Sequence, residues 1–201
     1  MATILVEYPK NDILKCHIHT LHHIDLYQDY LYGKVSTIEY EATDSLEDLL
    51  GKSYSNWAAE ELLKVGVVSV YHFLEKCIVS FLYDQFKKQN IDIPHKGRKS
   101  LVVWVKTTLE HIFSPIEDEK VWTNLNELRI VANTIKHANS GKYKELSALH
   151  IEYFQMIESD CFDDIQEYEN RFFIGIDNFR RLAKSTASFW EHLPHEVIYT
   201  R

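Results

Sequence analysis

Between Asn56 and Lys88 the apolar positions Leu63, Val67, Val70, Leu74, Cys77 and Phe81 recur at alternating steps of four and three. That period marks one face of a long helix, Asn56 to Lys88, with Asn56 or Ser55 as its N-cap. Gly66 lies inside it as a point for close packing. Pro94 and Gly97 end this element. SLVVWVKTTLEHIF then predicts a shorter helix, Leu101 to Phe113. Ser114 and Pro115, followed by Glu117, Asp118 and Glu119, predict the start of a third, because a Ser cap, a Pro and acidic residues suit a helix N-terminus. Its buried stripe reads Val121, Leu125, Leu128, Val131 or Ala132, and Ile135, with Asn139 and Gly141 as the stop. A last helix is expected from Asp164 to Leu193 after an acidic connector (Glu158, Asp160, Asp163), burying Ile165, Tyr168, Phe172, Ile176, Phe179, Leu182, Ala183, Phe189 and Leu193. Pro194 closes it.

The first 55 residues carry weaker patterning. Leu14, Ile18, Leu21 and Leu31 have helical spacing, so a helix is expected from Asp12 to Leu31. KVSTIEYEA alternates loosely, as a short strand or an extended arm does, and Ser45 to Leu50 reads as one capped turn. The expected architecture is all-α: an up-and-down helical bundle over residues 56–201, with residues 1–55 as a helical or extended elaboration packed on it.

Composition agrees. Of 201 residues, 45% are hydrophobic and 13% aromatic, enough for a sizeable core, and 6 Gly with 4 Pro are too few for a turn-rich all-β chain. The net charge of −8 disfavours attraction of the whole surface to nucleic acid, so any such contact needs a local basic patch. KKQNIDIPHKGRKS supplies one, with Lys87, Lys88, Lys96, Arg98 and Lys99; its plainest reading is a solvated loop between helices. Cys16, Cys77 and Cys161 form no CxxC or paired framework, and Cys77 reads as a small core residue. MATILVEYPK lacks the pattern of a signal peptide, and no uncharged apolar run reaches membrane-spanning length; a cytoplasmic chain is expected.

The densest chemistry lies in LRIVANTIKHANSGK, Leu128 to Lys142. At about 100° per residue, Arg129, Asn133, Lys136, His137 and Ser140 fall within one arc of about 100°, joined by Asn126. An imidazole trades protons near neutral pH, an arginine holds a phosphate and an amide positions either, which are parts for phosphodiester cleavage. The same residues also suit the last turns of a helix, where cations meet the dipole and Asn or Ser caps.

With its long helices and this N-x-x-K-H segment, Asn133 to His137, the chain resembles the HEPN superfamily, helical domains common in toxin–antitoxin and phage-defence systems. That family's hallmark is Arg, four to six residues, then His, often with Asn directly after the Arg. Here Ala132 precedes Asn133, and the nearest arginine, Arg129, is separated from His137 by seven intervening residues. The resemblance implies a metal-independent ribonuclease without cofactor, in which His137 handles the proton of the 2′-hydroxyl or the leaving oxygen, Arg129 or Lys136 stabilises phosphate charge, and Asn133 belongs to the same motif. It also implies a homodimer whose paired helices line one cleft, with RNA and an antitoxin or other protein as partners. HEPN-like domains serve equally as non-catalytic interaction modules, and the Ala132 departure keeps that alternative open.

Other constellations are weaker. In CHIHTLHH, Asp12, Cys16, His19 and His23 would share a helical stripe, while His17 and His22 point elsewhere; a solvated or interface histidine face is the expectation, and no metal site. HLPHE spans Pro194 and reads as tail, and His72 with Glu75 reads as a local i,i+3 pair. No Gly-rich phosphate loop, GxSxG or ExxH frame is present, which disfavours ATP, nicotinamide and serine-hydrolase chemistry.

Overall fold

A computed structural model describes residues 4–6, 18, 22, 45–113, 115–155, 165–193 and 197–199. The fold is all-α, as the helical periodicity requires. Among the described residues six named helices follow in order: α1 (Leu46–Lys88), α2 (Leu101–Leu109), α3 (Glu119–His137), α4 (Ser140–Leu149), α5 (Ile165–Arg171) and α6 (Ile176–Glu191). A 3₁₀ turn, Ile151–Tyr153, follows α4. Two short strands, β1 (Ile4–Val6) and β2 (Val197–Tyr199), pair antiparallel with Ile4 opposite Tyr199.

The chain forms two compact units, 1–23 with 70–129 and 182–201, and 24–69 with 130–181. The expected division at residue 55 falls inside α1, which runs unbroken for 43 residues. Ser55 is therefore not a cap: it sits within the helix, where its Oγ donates to the Gly51 carbonyl at 3.0 Å. The turn expected at Ser45–Leu50 is instead the beginning of α1. Over Gly51–Lys88 this helix has the length and hydropathy of a membrane-crossing segment. Its apolar stripe is used inside the protein: Leu63, Val67, Val70, Leu74 and Phe81 are all buried, and Cys77 is half-buried. Burial raises the Cys77 thiol pKa.

In the first unit, Phe81 stacks on Phe113 at 6.0 Å and meets the edge of Trp190 at 5.6 Å, while Trp122 packs edge-on to Phe189. Such aromatic pairs add to the burial of their area. Lys106 bonds Glu119 at 2.7 Å and lies over the Trp122 ring, joining α2 to the start of α3. Helix α2 is capped by Ser100, whose Oγ accepts from Val103 N–H, and it ends four residues before the expected Phe113, although Ile112 and Phe113 remain buried.

Helix α3 begins at Glu119 rather than at Pro115, which is exposed; the Asp118 carboxylate accepts from Lys120 N–H at 2.9 Å, placing the cap there. Ser114 lies outside the described residues.

In the second unit, Tyr143, Phe154, Tyr168 and Phe172 form one aromatic cluster, Tyr143 stacked on Tyr168 at 6.0 Å. The expected helix from Asp164 to Leu193 is broken into α5 and α6. Gln155 N–H donates to Arg171 O and Phe173 N–H to Tyr153 O, both at 2.9 Å, so a bridge between Phe154 and Phe172 takes the backbone out of the helical ladder. The buried positions nevertheless hold: Tyr168, Phe172, Phe179, Leu182, Ala183, Phe189 and Leu193 are buried, with Ile176 half-buried.

Candidate functional site

Arg129, Asn133, Lys136 and His137 all lie on α3, as does Asn126, whereas Ser140, expected in the same arc, opens α4 instead. The end of α3 is a sharp corner. Ala138 N–H still donates to Thr134 O at 2.9 Å, but Ala138 itself takes φ +40°, a left-handed conformation that costs an L-residue with a Cβ. Asn139 then caps α4, its Oδ1 accepting from Lys142 N–H at 3.0 Å. Gly141, expected as part of the stop, is instead in the first turn of α4. The Thr134 hydroxyl, fully buried, donates to Ile130 O at 2.9 Å with Lys142 O at 3.3 Å, and so fixes α4 against the end of α3.

Lys136 and His137 project from this corner as exposed side chains, and Asn133, one turn back, is half-buried. The first N–H groups of α4 have no intrahelical acceptor, so the dipole of a ten-residue helix starts two residues beyond Ala138. An imidazole, an ammonium and a helix N-terminus within a few residues of one another make a corner able to hold an anion and move a proton beside it.

Arg129 belongs to the first unit. Its Nε donates to Asn126 Oδ1 at 3.0 Å, and its charge acts on Tyr71. That hydroxyl is pushed up to about 12, by burial first and by Glu75 second, with Arg129 opposing both. Asn126 and Arg129 therefore serve each other on one face of α3. Ala132, directly before Asn133, is 1% exposed: the position points into the core.

No family model matches the chain. Nor does any curated protein or any solved structure.

Of the weaker constellations, His72 Nδ1 meets Glu75 at 3.4 Å, as expected, and Glu75 also faces Lys96 Nζ at 3.8 Å. His192 Nδ1 lies 2.8 Å from Ser188 O and its Nε2 3.7 Å from Asp118, so it closes α6. Of the amino-terminal histidine segment only Ile18 and His22 are described, both helical and exposed. Asp12, Cys16, His17, His19, His23, Cys161, KVSTIEYEA, the acidic connector and Pro194 to Glu196 lie outside the described residues.

Two arrangements went unread in the sequence. In the second unit, Arg181 donates to the Tyr153 hydroxyl at 2.8 Å, and His150 packs on the Tyr153 ring while its Nδ1 sits 3.3 Å from Glu152. The signal was the adjacent His-x-Glu-Tyr, but its arginine comes from α6, 28 positions away. In the first unit, an open recess of about 550 Å³ lies at the end of α1, lined by Tyr83, Phe86, Lys87 and the Asn90–Ile93 segment. It coincides with the start of the basic loop.

Proposed function

We propose that the protein is a metal-independent ribonuclease of a HEPN-like toxin or phage-defence type, acting at the α3–α4 corner. The observation that carries this reading is the exposure of His137 and Lys136 directly before the strained Ala138 and the N-terminus of α4. His137 takes the proton of a 2′-hydroxyl as that oxygen attacks phosphorus; the P–O5′ bond breaks, a 2′,3′-cyclic phosphate forms, and the 5′-oxygen takes a proton from water or from an acid on a second copy of the chain. Lys136 stabilises the charge gathered on the phosphate, and Asn133 orients the ribose phosphate against it. Arg129, already engaged with Asn126, supports α3 in this scheme rather than holding the phosphate. A homodimer, a cytoplasmic setting and an antitoxin or other protein partner belong to the same proposal.

The test is cleavage of labelled RNA in EDTA by the wild-type chain and by His137→Ala. Cleavage by the first and its loss by about 10²-fold or more in the second supports the reading; equal activity removes His137 from the mechanism. A second reading, a non-catalytic helical interaction module, is favoured by the buried Ala132 at the family's arginine position. It is the conclusion if the wild-type chain cleaves no RNA and is instead recovered in a stable complex with a protein partner.

A further inference from the structure

The basic segment Lys87–Lys99 is a built feature, because the loop after α1 is tied down at several points. Asn90 takes φ +53° and Ile91 N–H returns to Phe86 O, which turns the chain back at the helix end. Trp104, buried on α2, donates its indole N–H to Pro94 O at 2.8 Å. Gly97, at φ +56°, donates its N–H to His95 Nδ1, and Lys99 N–H reaches Lys96 O. Lys96 lies beside Glu75, twelve residues before Lys87 on α1, so the loop runs back along about 18 Å of that helix. The turn thus carries exposed cations on a chain whose net charge is −8: Lys87 at the recess, then Lys96, which faces Glu75, and Arg98 and Lys99. Apolar groups stand exposed beside the recess, Tyr83 at 54% and Ile91 at 42%.

We infer that this surface, the recess at the end of α1 and the basic turn that follows it, docks single-stranded nucleic acid. Spaced cations along an extended edge match a repeating phosphate, and counterion release makes each such contact favourable. The exposed Tyr83 ring offers a stacking face, which every base can use. Asn90 and Asp92 line the recess and carry oxygen acceptors of the kind the N–H edge of a base can use. Asp92 also decides between polyanions: an acidic peptide side chain entering the recess meets a like charge, whereas a base does not. This inference stands whether or not His137 is catalytic.

The test uses the full chain and a fluorescein-labelled 2′-O-methyl RNA of about 16 nucleotides, long enough for one such groove and without the 2′-hydroxyl that cleavage needs. Anisotropy is measured from about 50 to 200 mM NaCl. Binding is expected, with affinity falling on a log–log plot by about 0.7 per phosphate contact. Arg98→Ala with Lys99→Ala weakens binding at least about tenfold and flattens the slope by about 1.4, two contacts' worth. Tyr83→Ala weakens it about tenfold with the slope unchanged. All three positions are exposed, and unchanged circular dichroism melts confirm that the variants fold. The inference is overturned by absence of binding at about 50 mM salt. It is equally overturned by variants that bind as the wild type does, or by a glutamate-rich peptide that binds at these residues while the oligonucleotide does not. Retained binding with no cleavage of ordinary RNA defeats the ribonuclease proposal and leaves this one intact.

Discussion

Gly66 on α1 lies so close to the Phe179 ring on α6 that a Cβ at residue 66 would sit 2.9 Å from Cε2. Phe179 is fully buried, so its ring has no free side toward which to retreat. The helix interior is a place where glycine ordinarily costs about 0.5–1 kcal/mol relative to alanine. Here the close approach outweighs that cost. Gly66→Ala is expected to destabilise by about 1–3 kcal/mol through overpacking, read as a lower urea midpoint. Gly51→Ala on the same helix meets nothing within 4 Å and should stabilise by about 0.5–1 kcal/mol. The two substitutions differ only in their surroundings; equal effects would mean that α1 and α6 do not touch at Gly66.

Ala138 invites the opposite substitution. At φ +40° its Cβ crowds the backbone, a strain of about 1–2 kcal/mol that glycine lacks. Glycine also loosens the unfolded chain, at a cost of about 0.4–1 kcal/mol, so Ala138→Gly should stabilise by a net of roughly 0.5 kcal/mol. A urea titration that instead shows a loss above about 1 kcal/mol would mean the corner after His137 is not left-handed.

The register of buried positions was readable because it depends on period alone. Val67, Val70 and Leu74 on α1, and Phe179, Leu182 and Phe189 on α6, point inward as their spacing requires. Boundaries were another matter. Phe172, Ile176 and Phe179 keep helical spacing across a break that is made by Tyr153 and Gln155, which pair their backbone with residues 171–173. Period cannot register a bond made to residues nearly twenty positions away. Helix α4 leaves no stripe in the sequence because SGKYKELSAL buries only Tyr143 and Leu146, and Gly141 looks like a stop when Ala138 performs that task. In the candidate site, the exposure of Lys136 and His137 followed from their place opposite Val131, whereas the Arg129–Asn126 bond depended on a rotamer that spacing leaves open.

Two buried tyrosines give the fold an alkaline limit. Tyr71 and Tyr143 are each pushed up to about 12; burial is the main cause in both, joined by Glu75 at Tyr71 and by Glu169 and Glu61 at Tyr143. The unfolded chain releases these protons near 10, so between pH 10 and 12 the folded state holds more protons than the unfolded one. Stability is then fully present below pH 10 and falls as pH rises toward 12, by an amount on the order of 2 kcal/mol per tyrosine. Tyr143→Phe should make urea midpoints fall less steeply across that window. An unchanged slope would mean the hydroxyl ionises as freely in the folded protein as in water.

Lys64 on α1 sits in an environment that opposes and then restores its charge. Burial alone would lower its pKa, but Glu61 at 2.9 Å and Glu60 at 3.1 Å more than offset it and hold the ammonium above its ordinary range, over the Phe172 ring. Lys64→Met keeps the stem and removes the charge, leaving two neighbouring carboxylates to repel each other on one helix face. A loss of about 1 kcal/mol is expected at low ionic strength, shrinking as added salt screens the charges. A loss of the same size at low and high salt would assign the effect to packing rather than to charge.

Writing the HEPN pattern into the chain provides the sharpest check on α3. Ala132→Arg places an arginine directly before Asn133, the arrangement that HEPN ribonucleases carry. Yet Ala132 is 1% exposed and Val131 beside it fully buried, so the new guanidinium enters a packed interior without a partner. Overpacking and an unpaired buried charge together should cost more than about 3 kcal/mol. The variant is therefore expected to melt far below the wild type or to be insoluble, with no gain in RNA cleavage. Ala132→Ser, smaller and uncharged, should cost only about 1–2 kcal/mol and shows whether any change there is tolerated. If Ala132→Arg instead folds as stably as the wild type and cleaves RNA faster, residue 132 faces the site, and the buried face assigned to α3 must be rotated to the other side.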